Sequence, residues 1–227
     1  MNTFNQFLFG IYPYIAVCIF LFGSLVRFER EQYTWKADST QLVHRGNLRL
    51  GNILFHVGIL GLFFGHLVGL LTPVAVWDGL GVPHHVKQVV AMIAGGMMGT
   101  ICLAGLVILL HRRLTNARLS ALTKAGDRVL LLWILATLLL GLSTIGESTN
   151  HMDGAMMVRL MTWAQHVVTF QGDAAAYVAG TPIVFRLHLF MGMTLFVIFP
   201  FTRLVHVWSG FASVTYLSRA WQLVRGR

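Results

Sequence analysis

Hydrophobic positions fall into five long runs, separated by polar segments that carry nearly all the charge. A run of about 18 to 25 apolar residues crosses a hydrocarbon core of roughly 30 Å as a helix. The five runs cover about 4–26, 51–71, 89–110, 129–145 and 183–208. The first has no charged residue before Arg27, and the fifth is interrupted only by Arg186, Pro200 and Arg203. Lipid offers no water to an open backbone, so each run is expected to be helical. The apolar/polar alternation of a membrane β-barrel is absent. The first run lacks a basic leader and is too long for a cleavable signal peptide, so it is expected to remain in the mature protein. Between the fourth and fifth runs lies a long segment, 146–182. Within it, Met156, Met157, Leu160, Trp163, Ala164 and Val167 recur at helical spacing. This predicts an amphipathic helix at the interface over 153–170, either a plain surface element or a lid over an external site.

Composition sharpens the picture. Of 227 residues, 56% are hydrophobic and 11% are charged, and mean hydropathy is +0.70. A soluble domain carries about 25% charged residues, so a water-soluble core of this size is excluded, and so is disorder. The two cysteines, Cys18 and Cys102, stand in no C-x-x-C or C-x-x-C-H setting. That removes disulfide scaffolds, zinc ribbons and c-type haem attachment, and both read as small buried hydrophobes. No internal repeat is visible.

The net charge of +9 is informative through its location. Segments 27–49 and 111–128 and the C-terminal part hold fourteen of the seventeen Lys and Arg residues; Lys87, Arg159 and Arg186 lie on the other side of the membrane. The positive-inside rule puts the fourteen in the cytoplasm, with the N-terminus outside and the C-terminus inside. Topology and anionic lipid account for the charge, and nucleic acid is not an expected partner.

Ten histidines are present, and six sit in loops or at the ends of runs. The other four differ. His56 and His66 lie within the second run, and His188 and His206 bracket the fifth. Ionisable residues inside a span mark function by default. His188 and His206 are 18 residues apart, five helical turns and roughly 27 Å along one face. His56 and His66 are 10 residues apart, roughly 15 Å and about 80° in rotation. The two runs are antiparallel, so His56 should meet His206 near the cytoplasm and His66 should meet His188 near the outside. A kink at Pro200 must absorb the difference in spacing. Paired neutral imidazoles in an apolar bundle are axial ligands of b-type haem; zinc would call for further ligands.

Gly58, Gly61, Gly65 and Gly69 leave flat surface on the second run, either for haem or for close helix packing. Arg203 shares a face with His206 and can serve either haem propionates or as a snorkelling anchor; Arg186 has a weaker case beside His188. Lys87 opens the third run near the depth of His66, where its ammonium can meet a quinone carbonyl or serve as an interfacial anchor.

The sequence resembles the gamma subunit of respiratory nitrate reductase, a membrane cytochrome b that feeds a cytoplasmic pair of catalytic subunits. The stretches that carry the likeness are 11–15 (IYPYI), 32–35 (QYTW), 52–66 (NILFHVGILGLFFGH), 71–73 (LTP) and 86–88 (VKQ). Further on come 151–154 (HMDG), 163–170 (WAQHVVTF) and 185–208 (FRLHLFMGMTLFVIFPFTRLVHVW). Segments 78–85 and 115–122 depart most from the family pattern.

The resemblance implies one five-helix, all-α membrane domain over 1–227 holding two b haems. His56 and His206 would ligate the iron nearer the cytoplasm, and His66 and His188 the distal one. Quinol would be oxidised near His66, Gly65 and Lys87 at the outer leaflet, and no residue of this chain is expected to be catalytic toward nitrate. Electrons would reach an iron–sulfur subunit and then a molybdenum subunit on the cytoplasmic face of the inner membrane. Docking is expected through 27–49, 112–128 and the C-terminal tail. The alternatives are a related cytochrome of a heterodisulfide or sulfite reductase complex, or a haem-free membrane anchor or transporter.

Overall fold

The computed structural model describes residues 3–31, 34–35 and 46–208, and no strand occurs among them. Five helices are long and apolar enough to cross a membrane. They are α1 (Thr3–Arg30), α2 (Leu48–Leu71), α4 (His84–Thr115), α6 (Ala125–Thr149) and α9, whose span is Ile183–Phe201. Shorter helices connect them: α3 (Val74–Gly79), α5 (Ala117–Leu122), α7 (Ala155–Val168) and α8 (Ala174–Ala179).

Each long helix extends a few residues past its apolar run, because the polar flanks still satisfy their own backbone when helical. The exception is the fifth. α-Helical geometry holds over Ile183–Ile198, then tightens to 3₁₀ over Phe199–Phe201, breaks at the extended Thr202, and resumes as 3₁₀ over Arg203–Trp208. The cause is Pro200, which has no N–H to donate and clashes with the preceding turn. The freed carbonyls are not left dry. Arg27 of α1 donates to Pro200 O at 2.6 Å and to Thr202 O at 2.9 Å. Gly23 lets α1 come that close, since a Cβ there would fall 2.9 Å from the Pro200 ring. The kink expected at Pro200 is thus a full break, and the five-turn register that would put His188 and His206 on one face is reset at Pro200–Thr202.

The helices pack in series. α2 lies on α4, α4 on α6, α6 on α9, and α9 on α1. No comparable contact joins α2 to α9. Glycine sets the closeness of the first pair: a Cβ on Gly58 would enter the backbone of Cys102, and one on Gly105 would enter that of Phe55. Cys102 is buried as expected, but Cys18 is exposed on the surface of α1, which corrects its reading as a core residue. Leu130, Ile134 and Leu138 of α6 join Cys102 and Leu106 of α4 in one core cluster.

The segment between α6 and α9 forms α7 as its periodicity predicts, and the helix leans on the end of the bundle where α1 begins. Trp163 donates its indole N–H to Phe9 O at 2.9 Å, and Gln165 donates to Thr72 O at 3.0 Å. His166 and Asp173 pair at 2.7 Å and tie α7 to the start of α8.

Candidate functional site: two histidine pairs across a cleft

The histidines of α2 and of the α9 segment meet in two pairs. The rings of His56 and His206 have centroids 6.2 Å apart, and those of His66 and His188 are 6.0 Å apart. These are the pairs the antiparallel arrangement calls for. They face each other where α2 and α9 make no extended contact.

Every one of the four rings is oriented by a backbone carbonyl. His56 Nδ1 lies 2.8 Å from Asn52 O, and His66 Nδ1 lies 2.7 Å from Leu62 O. His188 Nδ1 lies 3.0 Å from Thr137 O, and His206 Nδ1 lies 2.6 Å from Arg203 O. A carbonyl can only accept, so each Nδ1 carries the proton. Each Nε2 is thereby left with its lone pair free, the state required of a metal-binding imidazole.

The spacing fits an iron between the rings. Two imidazole–metal bonds of about 2 Å, plus about 1.1 Å from nitrogen to ring centre on each side, separate the centroids by roughly 6 Å. Among the described residues, no third His, Cys, Asp or Glu joins either pair to make a metal cluster. A tetrahedral zinc site is disfavoured on that ground, whereas a macrocycle that supplies four nitrogens needs only the two axial ligands. A flat group also finds room nearby: a Cβ placed on Gly65, Gly69 or Gly192 would meet nothing within 4 Å. The α2 glycines thus divide. Gly58 and Gly61 serve helix packing, the latter against Met98, while Gly65 and Gly69 stay open.

Arg203 sits on the segment that carries His206, with its Nε 3.4 Å from Asp127 Oδ1 at the start of α6. Both side chains are mostly out of water, at 18% and 17% exposure. Sequence reasoning placed Arg203 near the inner pair but did not find Asp127. Of the cations expected to form a docking face, Arg27 turns inward to the Pro200 carbonyls, and Arg112 is only 6% exposed. Lys36, Arg45 and the C-terminal tail lie outside the described residues.

Lys87 is 7% exposed, so its side chain is enclosed by the protein rather than spread along the surface as an interfacial anchor would be. Its ammonium donates to Gly69 O at 3.1 Å and to Met161 Sδ at 2.7 Å, and lies 4.4 Å from the centroid of the Trp77 ring. All three partners are neutral, and Gly69 lies about one turn beyond Gly65 and His66 along α2. The loop at 78–85 is held by His84, whose Nε2 is 2.7 Å from Asp78 Oδ1. Trp77 and Met161 were not singled out by sequence reasoning, since neither carries a motif that marks it. Arg186 lines a cavity of about 420 Å³ at the start of α9 with His151, Asp153, Arg159 and Thr181.

The fold and the site define a five-helix membrane protein with two histidine pairs facing each other between α2 and the α9 segment. Residues 5–227 match the family described as nitrate reductase gamma subunit, and the chain belongs to that family. It is 49% identical, over the whole of both chains, to the respiratory nitrate reductase 1 gamma chain of Escherichia coli (strain K12). It is 46% identical to the respiratory nitrate reductase 2 gamma chain of the same strain, covering 98% of this chain and 97% of the other. It is 34% identical to the nitrate reductase gamma chain of Bacillus subtilis (strain 168), with coverage of 98% and 99%. Membership and the five apolar helices together make it a multi-pass protein of the bacterial inner membrane, within respiratory electron transport.

Proposed function

We propose that this chain is the dihaem b-type cytochrome that oxidises membrane quinol for a respiratory nitrate reductase. The observation that carries this reading is the commitment of all four Nδ1–H groups to backbone carbonyls, with the rings paired at 6.0 and 6.2 Å. His66 and His188 would hold the outer haem, and His56 and His206 the inner one. When bound, the haems supply one-electron redox centres whose potentials the surrounding protein adjusts.

The chain's own residues do the rest. Lys87 donates a hydrogen bond to a quinol oxygen beside Gly65 and His66 and fixes the ring at the outer side. Each quinol loses two electrons and two protons to become quinone. The protons leave at the outer face, and the electrons leave toward the cytoplasmic face. That separation of charge follows from the placement of the quinol at one end of the bundle. On the cytoplasmic face the electrons pass to an iron–sulfur subunit, and nitrate is reduced at a molybdenum centre in another subunit. The single transmembrane unit, with its N-terminus outside, is the scaffold for this transfer.

The test is a dithionite-reduced minus oxidised spectrum of the purified protein, with haem extracted and counted. Two b haems per chain are expected, and their reduction by a quinol analogue in membranes is expected as well. A well-folded preparation without haem would end the reading. Reporter fusions in the loops at 116–124 and 170–173 check the orientation: the first should report cytoplasm and the second the outside.

A further inference from the structure

Three of the four rings are held by their own chain segment. His56 and His66 each donate to a carbonyl four residues earlier, and His206 donates to one three residues earlier. His188 does not. It reaches across to Thr137 O on α6. In an α-helix that carbonyl already accepts the N–H of the residue four positions on, which is Gly141. Its second lone pair is free for the imidazole.

Gly141 is also where the ring rests. A Cβ at that position would fall 2.8 Å from His188 Cε1, 3.3 Å from Nδ1 and 3.4 Å from Nε2. The ring cannot retreat from such a methyl without leaving Thr137 or advancing on His66. One turn back on the same face of α6, Trp133 donates its indole N–H to Met191 O of α9 at 3.1 Å. Trp133, Thr137 and Gly141, at successive four-residue steps, form a continuous seat for the part of α9 that carries His188.

We propose that the Trp133–Gly141 face of α6 is the positioning element of the outer histidine pair alone: Thr137 O aims the His188 ring and the bare Gly141 backbone sets its distance from His66. The inner pair is independent of this seat. The inference rests on the haem reading above. A residue at 141 with a side chain would shift the outer iron's ligand field and potential while leaving the inner centre as it was.

The experiment uses the full-length protein in its membrane complex. Gly141→Ala is compared with Gly146→Ala, on the same helix, where a Cβ would meet nothing within 4 Å. Haem per chain, a redox titration that resolves the two centres, and low-temperature electron paramagnetic resonance are the readouts. Gly141→Ala is expected to lose the outer centre or to shift its midpoint and spectrum, with the inner centre unchanged; Gly146→Ala should match the parent protein. Unchanged centres in Gly141→Ala, or equal damage to both, would overturn the proposal.

His188→Ala supplies the control for folding. With the ring gone, adding Gly141→Ala should cost nothing further in accumulation or thermal stability. If Gly141→Ala alone fails to accumulate and His188→Ala rescues it, the contact is established; absence of rescue overturns the proposal. A parent protein without haem would instead overturn the haem reading, while the two-residue comparison would still report the contact.

Discussion

Asp127 Oδ1 lies 3.4 Å from Arg203 Nε, and the carbonyl of the same Arg203 receives the Nδ1–H of His206. The carboxylate at the start of α6 thus anchors the short 3₁₀ segment that carries His206. Asp127→Asn is expected to cost about 1 to 3 kcal/mol, the range for losing a charged hydrogen-bonded partner. Removing a negative charge also favours the reduced state of a nearby centre, so the inner midpoint should move up. Thermal unfolding in detergent and a redox titration check both. An inner midpoint that moves down would contradict the placement of Asp127 beside the inner site.

The pairing itself makes a sharp forecast. His66→Ala and His188→Ala should each erase the same spectral component, and His56→Ala and His206→Ala the other. His66→Tyr should stop quinol oxidation while the inner component persists. If His56→Ala and His188→Ala removed one and the same haem, the antiparallel arrangement of α2 and α9 would be wrong.

Lys87 presents a trade between stability and use. Its buried ammonium has Gly69 O, Met161 Sδ and the Trp77 ring as partners, and a buried charge without a counter-charge is costly. Lys87→Met should therefore be neutral or stabilising by up to about 2 kcal/mol. Quinol oxidation should nevertheless fall by about 10- to 100-fold, the scale of losing one charged hydrogen bond of about 1.5–3 kcal/mol. Haem content should not change. Unaltered quinol kinetics would remove Lys87 from the quinol site.

Close approach of α2 and α4 rests on two glycines. Gly58→Ala and Gly105→Ala each drive a methyl into the partner backbone, which should cost about 1 to 3 kcal/mol or more. Gly69→Ala, with open space around it, should leave the melting temperature near that of the parent. Equal melting temperatures for all three variants would mean that the helices lie farther apart than described.

Much of this was legible in the sequence because membrane spans carry a strong signal. Charge-free runs locate helices, and the odd number of steps between spans two and five dictates which histidines meet. The resetting of the register after Pro200 was only half visible. The proline announces a break, but the rescue by Arg27 depends on a contact between residues 173 positions apart. The roles of Asp127, Thr137 and Gly141 were invisible for the same reason. A lone carboxylate, a backbone carbonyl and one glycine among twenty-three have no pattern until the helices are side by side. Lys87 stood out as an ammonium opening a span, though its enclosure by Trp77 and Met161 did not.

The unclosed contact between α2 and α9 also bears on how the protein is made. The packings of α2 on α4, α4 on α6, α6 on α9 and α9 on α1 are built from the chain's own residues and can form as soon as it is inserted. The seam between α2 and α9 has no such packing, and on the proposed reading it is joined by the groups that the four histidines hold. On the proposed reading, insertion and cofactor loading are separable stages of biogenesis. Cells starved of haem should accumulate a chain that is fully inserted yet cleaved readily by protease along α2, and supplying haem should protect it. On the same reading, a subunit that docks across both α2 and the α9 segment would recognise the loaded form, which would make this one seam a checkpoint in assembly.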